Sequence, residues 1–103
     1  MTKQLAHMVF FKLKNSTDSG AKTLVEECNR FLKAHAGVDY YSAGIHCQEL
    51  TRDVNDKDFD VALHVVFANK QHHDDYQVSA QHNEFISRNK ENWQKVRVFD
   101  SYV

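Results

Sequence analysis

The alternation of apolar and polar residues predicts four β-strands. Residues 5–13, LAHMVFFKL, and residues 59–67, FDVALHVVF, carry apolar side chains at both alternating sets of positions. Because successive side chains of a strand point to opposite faces of a sheet, these two strands are expected to be buried on both faces. Two further strands are predicted at about residues 38–48, with Gly44 as a candidate bulge, and at residues 96–103, VRVFDSYV.

Helical spacing separates the first two strands and recurs after the third. A single helical stripe contains Ala21, Leu24, Val25, Cys28, Phe31 and Leu32. The preceding run NSTDSG, residues 15–20, supplies candidate N-caps, and Gly37 is expected to end this helix. A broken helical region is predicted from Lys70 to about Trp93.

The resulting order of elements is the ferredoxin-like βαββαβ arrangement, an α+β domain with a four-stranded antiparallel sheet. Its two helical regions cover only one face of the sheet. The other face is expected to carry the apolar side chains of Met8, Phe10, Ala62, Val66 and Phe99. Such a patch favours a partner, so we expect two sheets to pack face to face as a homodimeric α/β barrel.

Composition narrows the class of protein. The chain has 103 residues, 42% of them hydrophobic and 26% charged, which predicts one globular domain over residues 1–103. A formal net charge of −1 without a Lys/Arg run argues against a nucleic-acid partner, and no stretch is long and apolar enough to favour a membrane. Cys28 and Cys47 lack CxxC spacing, which favours reduced thiols and a cytoplasmic location.

Five segments occur in an order and spacing that match a known family. They are AHMVFFKLK, GVDYYSAG, FDVALHVVF, QHNEF and VRVFDSYV, which begin at residues 6, 37, 59, 81 and 96. Together they resemble the stress-responsive A/B barrel domain family, often called Dabb, over nearly the whole chain. The resemblance implies a dimeric α+β barrel, in agreement with the two-faced sheet.

The same resemblance implies a site. In a plant branch of polyketide cyclases similar to this family, a tyrosine and a histidine act as an acid/base pair, and the matching positions here are Tyr76 and His82. His7 matches a first-strand histidine that lines the same cavity. A further cavity histidine of that branch falls at Val61, and residues 79–81, Ser-Ala-Gln, lack the family's first histidine and its proline.

The chemistry of histidine and tyrosine side chains also favours His82 and Tyr76 as an acid/base pair. An imidazole with an ordinary pKa of about 6.5 exchanges a proton at neutral pH, and a tyrosine hydroxyl can stabilise an enolate. An apolar cavity between helices and sheet would suit a small carbonyl compound. The ligand contacts expected there are His7, Val9, Val61, Leu63, Val65 and Phe85. In the alternative interpretation, His82 braces the broken helix and Tyr76 only packs in the core.

Other polar clusters are assigned no site, and we expect neither a metal nor a cofactor. Residues 72–75, His-His-Asp-Asp, look like a metal-binding run, but adjacent helical side chains point about 100° apart and do not converge on one ion. His46 and Cys47 alternate across a strand, and the oxygen-bearing residues at 55–60 lack EF-hand spacing. His64 is expected at the dimer face as a hydrogen-bonded interface residue.

Three functions remain open. The first is a binding or stress-related dimer with a small apolar pocket and no chemistry of its own. The second is a cofactor-free cyclase, isomerase or lyase that acts on a hydrophobic, polyketide-like carbonyl compound through His82 and Tyr76. The third, taken from similar barrels, is a cofactor-independent monooxygenase. The distinguishing feature is whether His82, Tyr76 and His7 converge on an open cavity or are sealed in the core.

Overall fold

The computed structural model describes residues 3–103 as one antiparallel sheet with helices on one of its faces. Its elements are β1 (Leu5–Leu13), α1 (Asp18–Phe31), β2 (Val38–Ile45), β3 (Val61–Phe67), α2 (Lys70–Gln77), α3 (Ala80–Asn89), a 3-10 turn (Lys90–Asn92) and β4 (Trp93–Tyr102). The strand order is β2-β3-β1-β4, and all neighbouring strands are antiparallel. This confirms the ferredoxin-like arrangement, with the second helical region divided into two helices.

The predicted two-faced character of the central strands is also confirmed. Alternate residues of β1 and β3 are fully buried beneath the helices, while the residues between them are partly exposed on the opposite face. On that open face, the ring of Phe10 lies 5.7 Å from the ring of Phe99, centroid to centroid. The apolar residues expected to face away from the helices therefore do so.

Helix α1 packs a continuous apolar stripe against the sheet. The Thr17 hydroxyl caps its first turn by accepting a hydrogen bond from the backbone N–H of Gly20 at 3.0 Å. The helix ends at Phe31, so the prediction that Gly37 ends it is wrong. Gly37 instead forms the turn before β2 with a φ of 81°, where a Cβ would lie 2.1 Å from His72 Cγ.

Several predicted strand boundaries also need correction. Strand β2 ends at Ile45, and its irregularity lies between Val38 and Tyr40 rather than at Gly44. Strand β4 begins at Trp93, three residues before the predicted start.

The alternation in residues 59–67 predicts that Phe59 shares the helix-facing side with Val61 and Leu63, but Phe59 precedes β3 in the structure. Its ring lies 5.3 Å from the ring of Phe10, on the open face. Strand β3 begins only at Val61. The residue before it, Asp60, donates its backbone N–H to the carbonyl of Phe11. The charged loop before β3 therefore extends to Asp60, later than the alternation predicts. Phe59 lies in this loop, outside the strand, and its side chain faces the open side of the sheet.

One serine organises the break between α2 and α3. The Ser79 hydroxyl donates to the carbonyl of Tyr76 at 2.9 Å and accepts from the backbone N–H of His82 at 3.1 Å. It thus closes the end of α2 and caps the start of α3. None of the helices between residues 3 and 103 has the length and apolar character needed to span a bilayer.

Candidate functional site

A cavity of about 150 Å³ lies between the sheet and the layer formed by α2 and α3. Its wall is mainly apolar and is built by β1, β3, β4 and both helices. The cavity reaches solvent along β4, where the lining residues Val96 and Val98 are 39% and 49% exposed. The helical layer therefore covers the centre of the sheet and leaves its β4 edge accessible.

Six of the eight predicted site residues line this cavity, namely His7, Val9, Leu63, Tyr76, His82 and Phe85. Val61 and Val65 are completely buried in the core and are not among the lining residues. Their role as ligand contacts stays a prediction. His82, Tyr76 and His7 thus converge on an open cavity, which is the feature expected to distinguish a site from a sealed core.

Tyr76 and His82 are in direct contact. Their ring centroids lie 4.8 Å apart with an interplanar angle of 71°, so one ring edge meets the other ring's face. Tyr76 is 2% exposed, and burial raises the pKa of its hydroxyl well above the usual range. Burial also lowers the pKa of His82 to about 4, with smaller contributions from His7, His35 and His73. At neutral pH the pair is therefore a protonated phenol beside a neutral imidazole.

Three buried polar atoms beside this cavity have no hydrogen-bond partner among residues 3–103. They are the Tyr76 hydroxyl, His82 Nδ1 and Trp93 Nε1, and all three residues line the cavity. A buried polar group without a partner costs about 1–3 kcal/mol, so such groups are uncommon unless something else satisfies them. Trp93 was missed by the sequence analysis because β4 was expected to begin after it.

A histidine–aspartate pair forms another part of the wall. His7 and Asp100 face each other across β1 and β4, and His7 Nδ1 lies 2.5 Å from Asp100 Oδ1. Burial lowers the pKa of His7, although the hydrogen bond and charge of Asp100 oppose this shift. Asp100 was also missed, yet it lies in the FDSY segment at the position that the antiparallel register pairs with His7.

Among residues 3–103, one group of side chains has the chemistry and spacing to hold a metal ion, namely His7, His73 and Asp100. One ligand atom from each lies within 4.8 Å of the other two. His73 belongs to the His-His-Asp-Asp run, which the sequence analysis judged only against its own neighbours on the helix. The partners come from β1 and β4, which no spacing along the chain reveals.

The remaining polar candidates do not line the cavity and instead contact other side chains. His64 lies on the open face, with its ring 6.2 Å from that of Phe10. Asp56 and Asp58 form ion pairs with Arg97 and Lys95, each with a nitrogen–oxygen distance of 2.5 Å. The two cysteines are unpaired, and burial raises the pKa of the Cys28 thiol to about 12, which makes it a poor nucleophile.

Solved structures with the same fold include three that are informative. A dimeric ferredoxin-like protein of unknown function from Thermobifida fusca has a TM-score of 0.81 at 10% identity, with 100% of this chain and 93% of that chain covered. A Dabb family protein from Mesorhizobium loti has a TM-score of 0.77 at 20% identity, covering 97% and 96%. A hydroxynitrile lyase from Passiflora edulis has a TM-score of 0.78 at 15% identity, covering 100% and 95%.

At such low identities these likenesses establish the fold. No curated protein matches the sequence significantly. The family model of the stress responsive A/B barrel domain, Dabb, matches residues 5–103. It therefore spans every strand and helix described above, including the segments that form the cavity. The chain belongs to the stress responsive A/B barrel domain family.

Proposed function

We propose that this protein is a homodimer that binds a small, mainly apolar carbonyl compound in the cavity between the sheet and α2–α3. The observation that carries the proposal is the set of unpaired polar atoms on Tyr76, His82 and Trp93, all beside one cavity. The tyrosine hydroxyl and the indole N–H are donors, and a carbonyl oxygen has two lone pairs to receive them. The neutral imidazole of His82 can donate or accept, according to its tautomer.

The size and character of the cavity support a ligand about as large as one aromatic ring. The cavity measures about 150 Å³, and an apolar cavity of about this volume accommodates benzene in another protein. A longer compound would extend out of the cavity over Val96 and Val98, whose side chains are already partly exposed. A phenol that carries a carbonyl group or a short β-diketone meets both conditions.

The open face of the sheet supports the dimer. Its aromatic cluster joins Phe10 to Phe59, His64 and Phe99 at centroid distances of 5.3, 6.2 and 5.7 Å. A second copy packed on this face would bury the cluster, and a structural neighbour of the same fold is described as dimeric.

We place the protein in the cytoplasm, in keeping with two unpaired cysteines.

Tryptophan fluorescence offers a direct test, because Trp93 is the chain's one tryptophan and lines the cavity. Titration with small β-diketones and with phenols that carry a carbonyl group should change its emission in a saturable way. Replacing Tyr76 by Phe removes one donor and should weaken binding about tenfold, the value of one hydrogen bond of about 1.4 kcal/mol. Tyr40→Phe, at an exposed tyrosine of β2 away from the cavity, is the matched control. Equal affinities for both variants would contradict the proposal.

A second candidate function is an acid/base reaction on the bound carbonyl compound. It is favoured by the direct contact of Tyr76 with His82 beside an open cavity, and a protein of similar fold is a hydroxynitrile lyase. Tyr76 would donate a hydrogen bond to the carbonyl oxygen while His82 takes a proton from the neighbouring carbon. A pKa of about 4 makes His82 a weak base, so binding ranks first.

The two candidates separate in one variant. If the function is binding alone, the unsubstituted protein should catalyse no proton transfer, and His82→Gln should only weaken binding, by no more than about tenfold, the value of one hydrogen bond. If the function is catalytic, the same variant should abolish turnover while binding persists, and Tyr76→Phe should reduce turnover by more than it weakens binding. Deuterium exchange at the carbon beside the carbonyl, followed by NMR, reports this proton transfer whatever the final product is. The monooxygenase alternative gains no specific support from the geometry of residues 3–103.

A further inference from the structure

Three metal-ligating side chains meet beside the cavity although they come from three different elements. His7 lies on β1, His73 on α2 and Asp100 on β4, and one ligand atom from each lies within 4.8 Å of the other two. We propose that this cluster binds a divalent transition-metal ion, with Zn²⁺ as the ion best suited to it. Two imidazoles and one carboxylate are a ligand set that zinc takes up, with its fourth position left to water.

The ligand atoms must shift by roughly 1 Å to enclose an ion. Bonds of about 2.0–2.2 Å place the ligand atoms of a zinc site roughly 3–3.5 Å from one another. His7 Nδ1 and Asp100 Oδ1 are 2.5 Å apart, which is the distance of a hydrogen bond in which the imidazole N–H donates to the carboxylate, and the ring centroids of His7 and His73 are 4.9 Å apart. An ion would replace that proton, and the Asp100 side chain, 42% exposed, is free to move outward.

The surroundings of His73 favour ligation. Its Nδ1 lies 3.0 Å from Asp74 Oδ1, so this nitrogen can donate its proton to the carboxylate. That tautomer leaves the lone pair of Nε2 available for an ion, and a carboxylate behind a ligating histidine is a recurrent feature of zinc sites. Asp74 is itself held by the Lys70 ammonium at 2.7 Å. The helix thus supplies both a ligand and the group that orients it.

An ion could reach the cluster without passing through the cavity of the proposed ligand. A separate surface pocket of about 240 Å³ is lined by His73 and Asp100, together with Lys70 and Tyr102 at its rim. This pocket also has room for the water ligands that complete a three-residue site. His7 belongs to the wall of the other cavity, so the metal would lie between the two. The inference nevertheless does not depend on the proposed binding of a carbonyl compound.

Isothermal titration calorimetry of the metal-free 103-residue chain with ZnCl₂ tests the inference. The His-His-Asp-Asp run provides a matched pair of variants, His73→Gln and its neighbour His72→Gln. His72 lies outside the cluster and packs against Gly37. We expect His73→Gln to weaken Zn²⁺ binding at least about tenfold, since even an outer partner of a ligand contributes about that much, and His72→Gln to leave it nearly unchanged. Equal affinities in these two variants would overturn the proposal.

The next pair in the run tests the orienting carboxylate without removing a ligand. Asp74→Asn should weaken Zn²⁺ binding about tenfold. Asp75→Asn makes the same change of charge at a residue that bonds only to Gln71 among the described contacts, and should have little effect. Asp100→Asn should weaken binding while keeping the hydrogen bond to His7. Circular dichroism confirms that each variant is folded, so an Asp100→Asn protein that is folded and binds zinc normally would also refute the site.

Discussion

The two helical layers on the same face of the sheet differ in the side chains that they bury. Helix α1 is 14 residues long and buries Ala21, Leu24 and Cys28. Helices α2 and α3 have 8 and 10 residues, and each buries one residue, Tyr76 and Phe85 respectively. Pockets also adjoin α1, but the cavity of about 150 Å³ beside the buried polar atoms that lack a partner among residues 3–103 lies under α2 and α3.

The difference shows how a small domain can combine stability with a site. A continuous apolar stripe makes α1 a support for the sheet. The break at Ser79 gives two short helices whose inner faces carry a tyrosine and a histidine beside Phe85 and Ile86. The layer whose helices each bury one residue is the one that presents polar chemistry. The predictions below test this division of labour, from the largest expected effect to the smallest.

Truncating the core under α1 should be the most destabilising change. Leu24 is fully buried, and we expect Leu24→Ala to lower the free energy of unfolding by about 2–5 kcal/mol. We expect Ile86→Ala to lower the free energy of unfolding by only about 1 kcal/mol. Ile86 is half-buried and lines the cavity, so its replacement removes fewer contacts. Urea unfolding at one fixed protein concentration measures both. Equal losses would show that the two layers pack alike.

Removing the hydroxyl of Tyr76 should have the opposite sign. That hydroxyl is buried without a partner among residues 3–103, so Tyr76→Phe should raise the free energy of unfolding of the unliganded protein by up to about 1 kcal/mol. The same variant is expected to bind the ligand less well. Thermal unfolding with and without ligand separates the two effects. A less stable Tyr76→Phe protein would mean that the hydroxyl has a partner, such as an ordered water, in the unliganded state.

Most of the fold could be predicted because it is encoded in short-range patterns. The alternation in residues 5–13 and 61–67 and the stripe of α1 identify their elements directly. Where the prediction was wrong, tertiary contacts decided the outcome. Gly37 adopts its positive φ where the turn approaches His72, and Phe59 turns toward Phe10 on the open face. Neither neighbour is close in sequence.

The candidate site could be predicted only in part for the same reason. His7, Tyr76 and His82 were found through motif resemblance, and an apolar wall was found through strand alternation. Asp100 and His73 were missed because they join the site through the register of β4 and the placement of α2. Once two strands are known to pair, their register can be predicted from the sequence, so the pairing of Asp100 with His7 could have been predicted. The approach of His73 to the sheet could not.

An ion pair links the two layers and should contribute modestly. Glu27 of α1 accepts hydrogen bonds from Arg88 Nε at 2.8 Å and from Asn89 Nδ2 at 3.2 Å, both on α3. The hydrogen bond from Arg88 is the main reason that the pKa of Glu27 is lowered. We expect Glu27→Gln to cost about 0.5–1 kcal/mol, since Arg88 is largely exposed. Glu26→Gln, on the exposed side of the same helix, is the control and should cost almost nothing.

The smallest effect should appear in the pH dependence of stability, through His82. Its pKa is lowered from 6.5 to about 4, chiefly by burial, so the folded protein binds this proton less readily than the unfolded chain does. The resulting stability is fully present above about pH 6.5 and is lost as the pH falls toward 4. The groups that face the imidazole are Tyr76, His7, His35 and His73, and the histidines add to the shift. His82 is half-buried, so solvent screening keeps the contribution small.

His82→Gln isolates this contribution, because every other titrating group is common to both proteins. The free energy of unfolding of the unsubstituted protein should fall more steeply between pH 6.5 and 4 than that of the variant, and the two curves should run parallel above pH 7. Urea titrations at half-unit steps measure the difference. Parallel curves over the whole range would mean that His82 is solvated and titrates normally. In that case the layer formed by α2 and α3 would shield its histidine no better than the surface does, and its contrast with the layer of α1 would lie in packing alone.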